Sequence, residues 1–287
     1  MDMSRKLVPS PTIFVINLDR SQDRLSTFMK SFGADFSIHR IQAYDGKILT
    51  KYDDIFIPPY THSDEIPEIA CSYSHIKAVQ TAYRMGLQGA LIMEDDSMDN
   101  VHHFWPSYTE ENKVHKNFHI RNVIANCPKN TELLSLATVN TSKWITLLKC
   151  DVGYKSLDQN CWGTSCYYIT RLGMEKVVNN YCTQDSKMNL NKRTKKVRRY
   201  RSDNEIIYGI LSNTYIYTRP IFHVSAKDSL IHPNQVPVFA SSKTFLQKQI
   251  QSRKDTCIRS TSKVESTVQY SANDKSLHTE HDVSFFM

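Results

Sequence analysis

The chain has 287 residues, of which 40% are hydrophobic and 23% charged. This is an ordinary globular composition, long enough for one large domain or two small ones. Its formal net charge of +7 and pI near 8.9 favour anionic partners, yet residues 192–201 (KRTKKVRRYR) hold seven of the 36 Lys and Arg residues. The remainder is close to neutral, so the overall charge does not define a polyanion-binding core.

The seven cysteines, Cys71, Cys127, Cys150, Cys161, Cys166, Cys182 and Cys257, are odd in number and form no CxxC or CxxxC pair. That argues against a zinc site or a disulfide framework and fits reduced thiols in an intracellular, cytoplasmic protein. The first apolar run, residues 13–18, is too short for a secretory signal or a membrane span, and no transmembrane segment is expected.

Residues 12–18 (TIFVINL) are β-branched and apolar and read as a buried strand. Asp19 or Ser21 can cap the helix that follows, with Leu25, Phe28, Met29 and Phe32 at helical spacing and Gly33 as its stop. Residues 36–41 (FSIHRI) alternate as a second strand, completing a strand–helix–strand opening typical of an α/β sheet. Ala43, Tyr44, Asp45 and Gly46 form a turn, and residues 47–64 are irregular around Pro58 and Pro59. A helix starts near Pro67, carries Ile69, Tyr73, Ile76 and Tyr83 on one face, and ends before Gly86. Residues 89–93 (GALIM) are a continuous apolar strand.

Residues 97–143 carry little pattern. Residues 144–148 (WITLL) and 164–169 (TSCYYI) read as strands, with a helix over 172–181 between the latter and the basic run. A short helix over 203–211 and a strand over 214–218 follow. After about Phe239 the chain turns polar, which divides it into a domain at 10–240 and a poorly ordered tail at 241–287.

The sharpest signal is Glu94, Asp95 and Asp96, directly after the apolar strand. Neighbouring carboxylates raise one another's pKa, and a divalent cation relieves that repulsion through oxygen ligands. Ligands of open α/β sheets sit at the carboxyl ends of the strands, which is where these acids fall. An acidic surface turn would have the same sequence.

Four segments in order resemble glycosyltransferase family 25, the lipopolysaccharide and procollagen sugar transferases. Residues 15–20 (VINLDR), with Arg24, are similar to its opening motif, and Ala43 to Gly46 to its A-x-D-G turn. Residues 69–76 (IACSYSHI) are similar to its G-C-x-x-S-H segment, and residues 91–96 (LIMEDD) to its L-x-L-E-D-D. Weaker similarity continues through residues 167–173 and at Ser202 and Asp203. The sequence departs from the family pattern in having Ala70 for glycine, no proline near Ser202, Asn204 between Asp203 and Glu205, and the basic run as an apparent insertion.

The resemblance implies a single GT-A-like α/β domain: a Rossmann-type mixed sheet flanked by helices. It also implies a UDP-sugar donor (galactose or glucose), Mn2+ or Mg2+, and inverting transfer to a hydroxyl on a glycan or a protein. On this reading Glu94 and Asp96 are metal ligands that extended backbone turns to one side. His223 is a candidate third ligand, because GT-A folds draw such a histidine from late in the domain. Asn17, Leu18, Arg20, Arg24, Asp45, Gly46, Ser74, His75 and Asp95 border the nucleotide and its phosphates. Asp203, then Glu205, is the candidate general base that takes the acceptor proton. Cys71 is expected to be packed core.

Two other functions fit parts of the sequence: a silent nucleotide-sugar binder, and a nucleic-acid binder acting through residues 192–201. No nucleic-acid fold motif accompanies that run, so nucleic acid is not the expected partner.

Overall fold

A computed structural model describes residues 10–32, 36–57, 63, 65–99, 116–157, 163–183, 185, 187–190, 207–224, 244 and 248. Strand β1 is Thr12–Asn17, helix α1 is Gln22–Phe32, β2 is Ile38–Gln42, β3 is Ile55–Phe56 and α2 is Ile66–Arg84. Then come β4 (Gly89–Glu94), β5 (Ser97–Asp99), α3 (Lys116–Ala125), β6 (Leu133–Ser135), α4 (Thr141–Lys149) and β7 (Tyr154–Ser156). The last described elements are β8 (Cys166–Thr170), α5 (Arg171–Tyr181), β9 (Met188–Asn189), β10 (Thr214–Tyr217) and β11 (Phe222–Val224).

Seven strands form one mixed sheet in the order β2-β1-β4-β8-β6-β10-β7. The first three are parallel, and β8 runs antiparallel to β4. Alternation along the central strands assigns their side chains to two cores. Phe14, Ile16, Ala90 and Ile92 face a cluster with Ile69, Tyr73 and Ile76 of α2 and Met174 and Val177 of α5. Ile13, Val15, Leu91 and Met93 face the other, with Phe28 and Phe32 of α1 and Ile120 and Val123 of α3. The result is a single α/β domain with helices on both faces of a mixed sheet.

Both sides of the central strands are therefore dry, which explains why β1 and β4 read as continuous apolar runs. Helix α2 is buried around most of its circumference, including the polar Ser72, Ser74 and His75. Gly86, at φ 73°, ends it, with its N–H on the Tyr83 carbonyl at 3.0 Å.

Residues 144–148 are a correction: they belong to helix α4, not to a strand. Leu147 and Leu148 are buried and Ile145 is exposed, the one-sided burial of an amphipathic helix. Its start was marked by Asn140, whose side chain accepts from the Lys143 N–H at 3.4 Å. Of the expected helix over 203–211, residues 203–206 lie outside the described residues, Ile207 has helical backbone and Tyr208–Ile210 form a 3-10 turn. Residues 192–201 and the 241–287 tail, apart from 244 and 248, lie outside the described residues.

Glu132 ties together the half of the sheet farthest from β2. Its carboxylate is buried and accepts from Lys176 Nζ at 2.6 Å, from the Ser212 N–H at 2.9 Å and from Asn213 Nδ2 at 3.4 Å. Burial pushes this carboxyl up, but Lys176 and the Ser212 N–H prevail and hold it below the usual range. A depressed carboxyl stabilises the fold above its unfolded pKa, and that contribution is lost as pH falls through the folded value. Glu132→Gln is therefore expected to lower stability by about 2 kcal/mol at pH 7. Melting curves between pH 7 and pH 3 should converge with those of the wild type at the acid end.

Candidate active site

Strands β1 and β4 run side by side in parallel register, Ile16 opposite Glu94, and end on the same edge of the sheet. A cavity of about 340 Å³ opens there. One half is bordered by Leu18 and Arg20 after β1, by Tyr44 to Lys47 after β2, and by Ile66 and Pro67 in the first turn of α2. The other half is bordered by Arg24, by Ala70, Cys71, Ser74 and His75 on α2, and by the three acids after β4.

In the first half, Asp45 accepts from the Lys47 N–H at 3.0 Å and caps a 3-10 turn, Gly46–Lys51. The same carboxylate pairs with Arg20. A side chain at Gly46 would come within 3.4 Å of Pro67 Cα, so glycine lets this turn lie against the start of α2. Ser74 spends its hydroxyl on structure: it donates to the Ala70 carbonyl at 2.7 Å and accepts from the Tyr44 N–H at 2.9 Å. It thereby pins the Tyr44 turn to α2.

In the second half, the strand ends at Glu94, and Asp95 and Asp96 form a turn. This differs from the extended alternation expected from the sequence and has a consequence: all three acids border the cavity. The turn is held from both sides. The Glu94 N–H donates to the Ser165 carbonyl at 2.9 Å, the Asp95 N–H to the Ile16 carbonyl at 3.2 Å, and Ser97 Oγ also to the Ser165 carbonyl. Beyond it, β5 pairs with β11 in an antiparallel ribbon, Met98 opposite His223.

The acids have different neighbours. Glu94 Oε1 accepts from Thr164 Oγ1 at 3.1 Å and stands 3.5 Å from His75 Nε2. Burial drives its carboxyl up, but the His75 imidazole, the Thr164 hydroxyl and the Arg24 charge together hold it below the usual carboxylate range. Asp95 pairs with Arg24 and accepts from Asn17 Nδ2 at 2.7 Å, yet burial outweighs both and raises its pKa. Asp96 lies 3.0 Å from Arg24, and burial followed by the Glu94 charge pushes it up to about 7. Its Oδ1 is buried and has no hydrogen-bond partner among the described residues.

Ten residues named from the sequence, Leu18, Arg20, Arg24, Asp45, Gly46, Ser74, His75, Glu94, Asp95 and Asp96, border this one cavity. Asn17 lies behind it. Buried at the end of β1, it donates to Asp95 and to the Ser21 carbonyl and accepts from Arg40 Nε at 3.0 Å. It orients Asp95 rather than bordering the cavity. His223 does not border the cavity and sits in the β5–β11 ribbon. Asp203 and Glu205 lie outside the described residues.

Sequence reading missed Tyr44, Lys47 and Cys71 as cavity residues. The signal for Cys71 was its spacing of four from His75, which puts both on one helix face.

The chemistry of the acids suits a hard divalent cation: carboxylates bordering one cavity, the buried Asp96 Oδ1 left without a hydrogen bond among the described residues, and an Asp96 carboxyl raised by burial and like charge. Glu94 and Asp96 would hold Mn2+ or Mg2+. The guanidinium of Arg24 supplies the positive charge between Asp95 and Asp96 in this structure.

A mixed sheet with a cavity of acids and arginines at its carboxyl edge has the architecture of an α/β enzyme, whose ligands sit at that edge. The sequence profile of glycosyltransferase family 25 (LPS biosynthesis protein) matches residues 10–192. The chain belongs to this family and is a glycosyltransferase. No curated protein matches it. Among solved structures, the crystal structure of a glycosyltransferase involved in the glycosylation of the major capsid of PBCV-1 is similar. The match covers 82% of this chain and 100% of that one at 10% identity, with a TM-score of 0.34. No helix among the described residues is long and apolar enough to cross a membrane.

Proposed function

We propose that this transferase moves a hexose, galactose or glucose, from a UDP-sugar to a hydroxyl of a glycan or protein acceptor, with inversion and with Mn2+ or Mg2+. The observation that carries the reading is the meeting of Arg20 and Arg24 with Glu94, Asp95 and Asp96 on one cavity. Guanidinium groups suit the diphosphate, and the acids suit a divalent cation that would offset its charge. The turn at Asp45 and Gly46 borders the half left for uridine.

In the transfer, the acceptor oxygen bonds to the anomeric carbon as the bond from that carbon to the diphosphate breaks. The acceptor proton passes to a base, for which Asp203 and then Glu205 are the candidates. A bound divalent cation supplies neutralisation of the charge that develops on the leaving UDP. Arg20 and Arg24 orient the phosphates once they exchange their carboxylate partners for the ligand.

UDP with Mn2+, at about a hundred times its dissociation constant, is expected to raise Tm by roughly 5–10 °C, and EDTA is expected to cancel the rise. A panel of UDP-sugars scored for UDP release then identifies the donor. Binding without release on any donor would identify a silent binder. No Tm shift with UDP and Mn2+, alongside salt-sensitive DNA binding, would replace the reading with the nucleic-acid one.

A further inference from the structure

Cys71 and His75 are one helical turn apart on α2, and Glu94 ends the strand beside it. Cys71 Sγ, a nitrogen of His75 and a carboxylate oxygen of Glu94 lie within 4.8 Å of one another. Three ligand atoms around a tetrahedral zinc ion stand roughly 3.4 Å apart, given bond lengths of about 2.0–2.3 Å. His75 Nε2 and Glu94 Oε1, at 3.5 Å, already have that separation.

A second observation points to a ligand. His75 is fully buried, yet its Nε2 makes no hydrogen bond among the described residues. A buried ring nitrogen left without a bond is costly unless something else occupies its lone pair. The other nitrogen, Nδ1, is placed for the supporting role seen at metal sites: it lies 3.2 Å from the hydroxyl of the buried Tyr167. In the tautomer that donates from Nδ1 to Tyr167, Nε2 presents its lone pair towards Glu94, an arrangement that a cation between the two would satisfy.

We propose that Cys71, His75 and Glu94 form a site for Zn2+, with the fourth position open to the cavity that all three residues border. The ligand set selects the ion, since a thiolate and an imidazole suit zinc, whereas Mn2+ and Mg2+ suit carboxylate oxygens. This site overlaps the oxygen set of Glu94 and Asp96 at Glu94 and differs from it in taking Cys71 and His75. No cysteine pair marks such a site in the sequence. Here a helix supplies two ligands and a strand end supplies the third. On binding, the Cys71 thiol gives its proton to solvent and the Cys71–zinc bond forms, with no change of oxidation state. Zinc binding here needs no nucleotide.

The test uses Co2+ as a coloured stand-in, added to the full-length reduced protein without nucleotide. One equivalent is expected to give a thiolate-to-cobalt charge-transfer band and tetrahedral d–d bands, which Zn2+ then bleaches. Cys71→Ala is expected to abolish the band and weaken Zn2+ binding by roughly 10–100-fold or more. A wild-type protein without the band, or a Cys71→Ala variant that keeps it or binds Zn2+ within twofold of wild type, overturns the site. Should Cys71→Ala fail to fold, alkylation of the wild type is mapped by peptide mass. Zn2+ is expected to protect Cys71 at least tenfold, and equal labelling with and without Zn2+ overturns the site.

Discussion

Asp96→Asn is expected to lower kcat/KM for UDP release from the UDP-sugar by roughly 10²–10³-fold, the usual scale for losing one charge-stabilising group at a leaving group. The exchange keeps size and shape and removes only the negative charge. Asp96 is the acid whose Oδ1 is buried without a hydrogen bond, so its cost in the resting protein has no internal compensation at that atom. Stability should move the other way. Burial and Glu94 hold the Asp96 carboxyl up near 7, far above the unfolded value. A raised carboxyl opposes folding increasingly as pH rises from the unfolded value to the folded one. The variant should therefore match or exceed the wild type in Tm at pH 8 while losing turnover. Steady-state assays with Mn2+ beside melting curves read both effects. Turnover within threefold of wild type would remove Asp96 from the donor machinery.

Gly173→Ala is expected to destabilise the fold by about 3 kcal/mol, roughly 6–12 °C in Tm. The glycine lies in the first turn of α5, where its conformation is ordinary. The constraint is space: an added Cβ would press into the Glu132 carbonyl oxygen and lie 2.9 Å from Ile169 Cγ1. That carbonyl accepts the Thr170 N–H at 3.0 Å, and the same residue's carboxylate holds Lys176 and Ser212. The clash therefore falls on backbone that cannot retreat without releasing those bonds. Gly153, which has open space about its Cβ position, is the control: alanine there should shift Tm by no more than a degree or two. Equal Tm values for the two variants would refute the argument.

The parts of the fold that could be read in advance were those with a single physical reason. Strands β1 and β4 are buried on both faces, so their sequences are apolar without interruption. The helix ends at Gly86 and the turn at Asp45 and Gly46 carry local chemistry. The acids after β4 followed from their position at a strand end. Residues 144–148 read as a strand in sequence because five apolar and β-branched residues satisfy either period, and only the Asn140 cap separates them. Strands β5, β6, β7 and β11 have three residues each, too few to show alternation.

At the site, residue types that bind phosphate or metal announced themselves, whereas supporting roles did not. Asn17 looks like a ligand residue in sequence. Only the parallel alignment of β1 between β2 and β4 reveals that its amide is consumed by Asp95, Ser21 and Arg40. Cys71 looked like packing because its partner Glu94 is 23 residues away and meets it only through the packing of α2 on β4.

The ribbon of β5 and β11 also bears on where the protein can be cut. The family profile stops at residue 192, but β10 inserts between β6 and β7, and β11 fastens the stretch that follows the acids. Ile207, Ile221 and Phe222 fill the two interiors from beyond that point, and Ile216 packs with Leu147. A fragment trimmed to the recognised segment would leave a sheet with a missing stave and a loosened acidic tip. The smallest autonomous unit therefore extends at least to Val224, and the family's signature is shorter than the object that has to fold.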